Sequence, residues 1–291
     1  MSQLVEERDD ERTQHRSFFN LMLRKASLFL YAISLAAIIA WEAVEIAAPS
    51  GSVGRPVAVE LSRGVFTIRV FSPENTNARA IILFGSGDGG WSGFEEAVSK
   101  TLQNHGYEVI GIDSNAYAKS DYDLAILQAD FGTIAQMVEV AYENHPLPLI
   151  LGGYSMGAAQ AIAAAGGPHP PHGMAGLLLL DPCSRGRYGL RLSDQSDVLP
   201  TGPGTFSVED FAKTMGSLHV VQWHAAEDSI DSRAWLDSLT APHKEFVFGN
   251  TGHYYNNDRS DFLGQLVDSV PWILSSAQNS VTTAGNGGTR G

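Results

Sequence analysis

The chain has 291 residues, of which 44% are hydrophobic and 18% charged, and its formal net charge is −13 at pH 7. This length allows one domain of catalytic size with appended segments. The negative charge argues against a nucleic-acid partner, because phosphates would be repelled over most of the surface. The single cysteine, Cys183, excludes an intramolecular disulfide. Since no cysteine or histidine pattern has zinc spacing, we also expect no metal site.

The N-terminal part of the chain has the composition of a membrane-targeting segment. A polar leader, residues 1–25, ends in basic residues, and a mainly apolar segment, residues 26–48, follows it. Basic residues before this segment and acidic residues near its end predict a transmembrane anchor with a cytoplasmic N-terminus. A cleaved signal peptide and a buried soluble helix are the alternatives. Either of the first two interpretations places the rest of the chain on the exoplasmic or periplasmic side, anchored or exported.

Strand-like and helix-like segments alternate over residues 57–275, beyond a linker rich in glycine, serine and proline. The first two strand-like segments predict an antiparallel hairpin. The later ones are continuously apolar and are mostly separated by helical patterns. This arrangement indicates a mostly parallel central sheet with helices on both faces.

Two segments break the alternation. Residues 183–207 are too long and too rich in glycine and proline for an ordinary connection, and they directly follow a strand. We therefore predict a lid-like or substrate-binding loop there. Residues 276–291 are polar and rich in glycine, and we predict a disordered tail.

The segment FGSGDGGW, residues 84–91, has two interpretations. Its glycines fit the G-x-G-x-x-G spacing of a dinucleotide-binding loop, and Asp113 ends the next strand, where a ribose-binding carboxylate would lie. Asp88 counts against this interpretation, because its carboxylate would repel a pyrophosphate. The segment also follows a hairpin, whereas the dinucleotide fingerprint normally occupies the first strand of its unit. A dinucleotide oxidoreductase is therefore the weaker interpretation, and we expect no cofactor.

A second motif favours hydrolysis. Residues 153–157 read G-Y-S-M-G and lie between an apolar strand and a helix rich in small residues. Glycines two residues before and after Ser155 allow the sharp, strained turn of a nucleophile elbow, which exposes the serine hydroxyl. The motif predicts an α/β-hydrolase fold with Ser155 as the nucleophile.

A serine nucleophile needs a base, and the base needs an acid that orients it. In this fold the order along the chain is serine, acid, histidine, with the acid and the histidine after later strands. His253 follows the last predicted strand and is the predicted base. Asp228 follows the strand before it and is the predicted acid, with Glu227 and Asp231 as alternatives.

The same fold gives FGSGDGGW a second interpretation, as an oxyanion loop. The loop after the third strand supplies one backbone N–H to the oxyanion, and the residue after the nucleophile supplies the other. We assign these amides to Asp88 and Met156, with Gly87 or Gly89 as alternatives to Asp88. The residues predicted to contact substrate are Gly87, Gly89, Trp91, Asp113 and Tyr154.

Three short segments carry a family resemblance: SGDGGW at residues 86–91, VIGIDS at 109–114 and GYSMGA at 153–158. Together they resemble the bacterial virulence-protein VirJ/AcvB-like family of α/β-hydrolases over roughly residues 79–275. The resemblance implies a periplasmic location and a triad of Ser155, Asp228 and His253. It also implies, for AcvB-type members, hydrolysis of lysyl-phosphatidylglycerol.

These patterns predict a membrane-anchored or exported serine hydrolase that acts on a carboxylic ester. The aminoacyl ester of a lipid such as lysyl-phosphatidylglycerol is the best single substrate, since an acidic protein favours the approach of a cationic one. Another lipid or acyl esterase is the nearest alternative. A non-catalytic α/β-hydrolase scaffold, acting as an exported binding or virulence-associated protein, is the alternative from a different class.

Overall fold

The structure is a computed structural model that describes residues 54–74, 77–142, 146–195, 199–228, 233–257 and 259–285. The predicted anchor at residues 26–48 and the leader before it lie outside these residues. Across the part of the chain that the structure describes, no helix is both long enough and apolar enough to cross a bilayer.

An eight-stranded sheet forms the centre of the domain. The strands of the structure are β1 (Arg55–Leu61), β2 (Gly64–Phe71), β3 (Ile81–Gly85), β4 (Glu108–Ile112), β5 (Leu149–Tyr154), β6 (Met174–Leu180), β7 (Arg185–Arg187), β8 (Thr205–Ser207), β9 (His219–Ala225) and β10 (His243–Phe248). The sheet order is β1-β2-β4-β3-β5-β6-β9-β10. β1 pairs antiparallel with β2, and β2 with β4, which confirms the predicted hairpin. The remaining strand pairs of this eight-stranded sheet are parallel.

Helices cover both faces of this sheet, as the sequence predicts. They are α1 (Gly93–Asn104), α2 (Ser114–Ala118), α3 (Leu124–Ala141), α4 (Met156–Gly166), α5 (Ala234–Asp237) and α6 (Arg259–Gly285). Helices α3 and α4 contribute to one apolar core, and α1 and α6 contribute to the other. Strands β3, β4 and β5 are buried along their whole length, because helices cover both faces of the sheet.

The sheet topology sets the position of the functional loops. Parallel strands β3, β5, β6, β9 and β10 all end at one edge of the sheet. The loops that follow them therefore converge there, which is where ligands bind in open α/β sheets. The residues that these loops bring to the edge are Asp88, Ser155, Asp181, Asp228 and His253.

The structure adds detail to three elements of the fold. Residues 183–207, named the insert below, contain the short antiparallel pair β7 and β8. Helix α3 runs without a break through Gly132. Helix α6 continues to Gly285, although the sequence predicts disorder from residue 276, because no proline or glycine stops propagation over residues 276–284.

Candidate active site

Ser155 lies in the strained turn between β5 and α4. Its backbone has φ 52° and ψ −115°, a conformation that a non-glycine residue rarely adopts. The turn is held by two backbone hydrogen bonds, from the Ser155 amide to the Leu180 carbonyl (2.9 Å) and from the Gly157 amide to the Ser86 carbonyl (3.0 Å). This is the geometry of a nucleophile elbow.

The two glycines of the G-x-S-x-G motif are required by close backbone contacts. A Cβ atom on Gly157 would lie 2.4 Å from the carbonyl carbon of Gly85. A Cβ atom on Gly153 would lie 2.5 Å from the carbonyl carbon of Gly157. Strand β5, helix α4 and the end of β3 can therefore approach each other only where these positions lack side chains.

The loop after β3 lies beside the elbow and is fixed by the side chain of Glu95. One oxygen of this buried carboxylate accepts a hydrogen bond from the Gly87 amide (3.2 Å), and the other accepts one from the Ser92 amide (2.9 Å). Burial raises the pKa of Glu95, against the hydrogen bonds from Ser92 and Gly87 that lower it. Because its amide is bound to Glu95, Gly87 is not an oxyanion donor, contrary to one of the sequence-based alternatives.

These contacts also oppose the dinucleotide interpretation of the loop. Ser92 and Glu95 form a capping box at the start of α1, so the first amides of this helix are satisfied within the chain. Asp113 caps α2 by accepting a hydrogen bond from the Ala116 amide (2.9 Å). A pyrophosphate and a ribose would need these same groups.

His253 is bound to Asp228. Nδ1 of His253 lies 2.5 Å from Oδ2 of Asp228, and the Asp228 side chain is only 1% exposed. Burial disfavours the charged imidazolium, but this hydrogen bond and the charges of Asp228, Asp181 and Asp88 outweigh burial and raise the pKa of His253. Of the alternative acids, Glu227 is exposed and Asp231 lies outside the described residues. The structure thus pairs the predicted base with the first-ranked acid.

The side chain of Tyr154 contacts both the backbone and the ring of His253. The Tyr154 hydroxyl donates a hydrogen bond to the His253 carbonyl (3.1 Å), and the two ring centroids lie 4.8 Å apart. Tyr154 is 4% exposed. Burial raises its pKa far above the ordinary value, so it acts as a neutral donor. The sequence predicts a substrate contact for Tyr154, whereas the structure gives it a role in positioning His253.

A cavity opens beside Ser155 and His253. The core domain contributes Asp88, Ser155, Met156, His253 and Tyr254 to its lining. The insert contributes Cys183, Arg185, Gly186, Arg187, Gly189, Leu190, Asp194, Leu199 and Pro200. The insert is therefore the wall of the cavity, consistent with the predicted substrate-binding loop.

The buried side chain of Arg187 holds this wall together. Nε of Arg187 binds Oδ2 of Asp194 (2.7 Å), and its two terminal nitrogens donate to the carbonyls of Pro203 (2.6 Å) and Thr201 (2.8 Å). Burial alone would raise the pKa of Asp194, but the hydrogen bonds from Arg187 and from the Arg191 amide lower it. The planar guanidinium thus fixes three points of the insert at once.

All five residues predicted to contact substrate lie outside the cavity lining, including Gly87 and Tyr154, whose contacts are described above. The Trp91 ring lies over Gly111, where a Cβ atom would approach it to 2.2 Å, and its Nε1 donates to Glu96 (3.1 Å). Asp113 is the α2 cap described above. A Cβ atom added at Gly89 would meet nothing within 4 Å.

Two residues at the site have no signal in the sequence motifs. Sγ of Cys183 lies 3.3 Å from Oγ of Ser155. Asp181 is fully buried directly after β6, and its ligating atom lies within 4.8 Å of those of Asp228 and His253. This trio is the one group among the described residues in which three such side chains could hold a metal ion. Because Nδ1 of His253 already binds Asp228, the trio is better suited to acid–base chemistry.

The order serine, acid, histidine at the ends of parallel strands, with a strained serine elbow, defines the α/β-hydrolase fold. Solved structures share it. The esterase domain of a Rhodothermus marinus protein is 19% identical with a TM-score of 0.55, covering 75% of this chain and 96% of its own. Est1E from Butyrivibrio proteoclasticus is 16% identical with a TM-score of 0.55, covering 76% and 99%. A soluble variant of monoglyceride lipase from Saccharomyces cerevisiae is 15% identical with a TM-score of 0.53, covering 79% and 99%.

The family comparison is more specific. Residues 79–166 match the family described as "Bacterial virulence protein (VirJ)". The match spans the loop after β3 and the serine elbow, so the resemblance to the VirJ-like family is confirmed on the segments that carry it. No curated protein matches the chain.

Proposed function

We propose that this protein is a serine hydrolase that cleaves carboxylic esters with Ser155, His253 and Asp228. The observation that carries the proposal is the Asp228–His253 pair, 2.5 Å apart, at the cavity into which the strained Ser155 also faces. The esterase and lipase neighbours described above support this reaction class.

In the proposed reaction Oγ of Ser155 attacks the ester carbonyl carbon while Nε2 of His253 takes its proton. Asp228 stabilises the imidazolium through Nδ1. The amides of Met156 and Asp88 hold the negative oxygen of the tetrahedral intermediate. His253 then returns the proton to the leaving alcohol, and a water molecule hydrolyses the acyl-enzyme by the same steps.

For the substrate we propose an aminoacyl ester of a lipid such as lysyl-phosphatidylglycerol. Asp88 gives the cavity a carboxylate that suits a cationic aminoacyl group, and the net charge of −13 favours the approach of a cation. The segment at residues 26–48, as an anchor or an export signal, would bring the domain to the outer side of the membrane, where such lipids are accessible. The VirJ-like segments support the same substrate class by resemblance.

A fluorophosphonate probe tests the reaction class. Wild type should label and Ser155→Ala should not. Labelling that persists in Ser155→Ala would overturn the nucleophile assignment, and a folded wild type that does not label would favour a non-catalytic scaffold.

The substrate is tested separately with vesicles that contain lysyl-phosphatidylglycerol, and with short neutral acyl esters as the comparison. Release of lysine from the vesicles by wild type, and its loss in Ser155→Ala, is expected. Hydrolysis of the neutral esters without release of lysine would assign the protein to another class of esterase.

A further inference from the structure

Asp181 is held at the edge of the sheet in a strained conformation. It directly follows β6 and has φ 41°, and its side chain is 0% exposed. Its amide donates to the Trp223 carbonyl (3.0 Å), and its Oδ1 accepts from the Ala225 amide (2.8 Å). Strain of this kind at a buried non-glycine residue persists only where the surroundings enforce it, and it clusters at functional sites.

A structural cap alone does not account for a carboxylate at this position. Oδ1 satisfies the Ala225 amide and lies 3.6 Å from Nδ1 of His224, and the carboxylate also interacts with the Tyr255 side chain. Asparagine or serine would cap the same amide without burying a charge. Since burying a charged group is costly, the choice of a carboxylate over these neutral residues needs an explanation.

The neighbours of Asp181 supply that explanation. The ligating atoms of Asp181, Asp228 and His253 all lie within 4.8 Å of one another. The carboxylates of Asp181 and Asp228 are thus both close to the imidazole of His253. Burial raises the pKa of Asp181, as does the charge of Asp228, against hydrogen bonds from His224 and Tyr255 that lower it. An imidazolium between the two carboxylates would relieve their repulsion.

We propose that Asp181 is a positioning residue that acts through His253, sharing with Asp228 the stabilisation of the imidazolium and partly replacing Asp228 when that residue is lost. The inference rests on the proposed function, because it concerns the proton that His253 takes from Ser155. Asp181 takes no proton in this scheme. The negative charge of Asp181 stabilises the protonated form of His253.

The groups that face His253 come from five loops or strands. The charged ones are Asp228, Asp181 and Asp88, and the neutral ones are Tyr154 and Tyr254. Two cations of the insert, Arg185 and Arg187, line the same cavity, and Arg187 is paired with Asp194. Among these groups, Asp181 and Asp228 both lie close to His253. Removing the Asp181 carboxylate should therefore keep the hydrogen bond between Nδ1 of His253 and Asp228, and should change only the charge around the ring.

The test is the pH dependence of fluorophosphonate labelling of the full-length protein. Labelling requires neutral His253, so it is lost as the pH falls through the pKa of His253. Because the charge of Asp181 raises that pKa, Asp181→Asn should move the acid limb to lower pH by on the order of one unit. Asp181→Asn should slow labelling in both wild type and the Asp228→Asn variant. The factor by which it slows labelling should be about ten times larger in the Asp228→Asn variant.

Asp130→Asn is the matched control. Asp130 is also 0% exposed, and it accepts hydrogen bonds from the Tyr117 hydroxyl (2.8 Å) and the Ser62 amide (2.8 Å). Its loss should lower stability without moving the acid limb. If Asp181→Asn does not fold, Asp181→Ser keeps an acceptor for the Ala225 amide and removes the same charge.

The outcomes separate the two proposals. If wild type shows no labelling that depends on Ser155, the proposed function fails and the inference fails with it. If wild type labels but a folded Asp181 variant has the wild-type acid limb, and its effect is the same with and without Asp228, only the role of Asp181 is overturned.

Discussion

Oγ of Ser155 lies 3.3 Å from Sγ of Cys183, and both side chains line the cavity. The contact arises because β5 and β6 are neighbours in the sheet, so the residues that follow them meet at its edge. A thiol is a weak hydrogen-bond partner, so the contact holds the serine hydroxyl only loosely. The thiol is half-buried beside the nucleophile, where any group added to it would fill the space of the substrate.

Alkylation of Cys183 with iodoacetamide should therefore abolish fluorophosphonate labelling of Ser155. Cys183→Ala should resist this inhibition and label within about threefold of wild type, because a weak thiol hydrogen bond contributes under about 1 kcal/mol. Labelling before and after alkylation, with mass spectrometry to verify the modified residue, gives the comparison. Full labelling of a protein alkylated at Cys183 would show that the thiol lies away from the substrate path.

Gly157→Ala should disrupt the elbow. The added methyl group would lie 2.4 Å from the carbonyl carbon of Gly85 and 2.5 Å from the Ser86 carbonyl oxygen, both of which are backbone atoms that cannot turn away. We expect a loss of unfolding free energy of more than about 2 kcal/mol and no labelling. In the control Gly132→Ala, on helix α3, the methyl group meets nothing within 4 Å. That variant should gain roughly 0.5–1 kcal/mol by chemical denaturation. Equal stability of the two variants would contradict the packing argument.

The fold and part of the site are predictable from the sequence because their signals are local. Apolar segments mark the strands, and the glycines around Ser155 mark the turn. The order of elements then places Asp228 and His253 after later strands, so that all three reach the same edge. The roles of the other site residues have no local signal, because they depend on contacts between segments that are distant in the sequence.

Asp181 and Trp91 show what local signals miss. Asp181 follows β6 in an ordinary Asp-Pro turn sequence, and it lies near Asp228 and His253 because β6, β9 and β10 are successive strands of the sheet. Trp91 lies in the segment FGSGDGGW, residues 84–91, and so suggests a substrate contact. In the structure its ring is accommodated over Gly111, because that residue of the neighbouring strand has no side chain.

Arg187→Lys should weaken substrate binding more than the chemical step. Lysine cannot reproduce the contacts of the guanidinium with Asp194, Pro203 and Thr201, so the insert that forms the cavity wall would loosen. We expect KM for a short acyl ester to rise about tenfold, with a smaller change in kcat, because uniform binding is lost.

Arg191→Lys is the matched control for that variant. Arg191 pairs with Asp121 (2.9 Å), but both side chains are more than half exposed. An exposed ion pair contributes about 0–1 kcal/mol, so steady-state kinetics and thermal stability should remain near wild type. If Arg187→Lys also leaves KM at the wild-type value, the insert does not shape the binding site.

Tyr154→Phe should separate the positioning of His253 from packing. The substitution keeps the ring, whose centroid lies 4.8 Å from that of His253, and removes the hydrogen bond from the hydroxyl to the His253 carbonyl (3.1 Å). We expect kcat to fall about fivefold, with a stability loss of about 1 kcal/mol. Tyr107→Phe is the control, because the Tyr107 hydroxyl is buried with no hydrogen-bond partner among the described residues. Its removal should leave stability unchanged or higher and kcat unaffected. The same kcat in Tyr154→Phe and wild type would show that Tyr154 supports the histidine by packing alone.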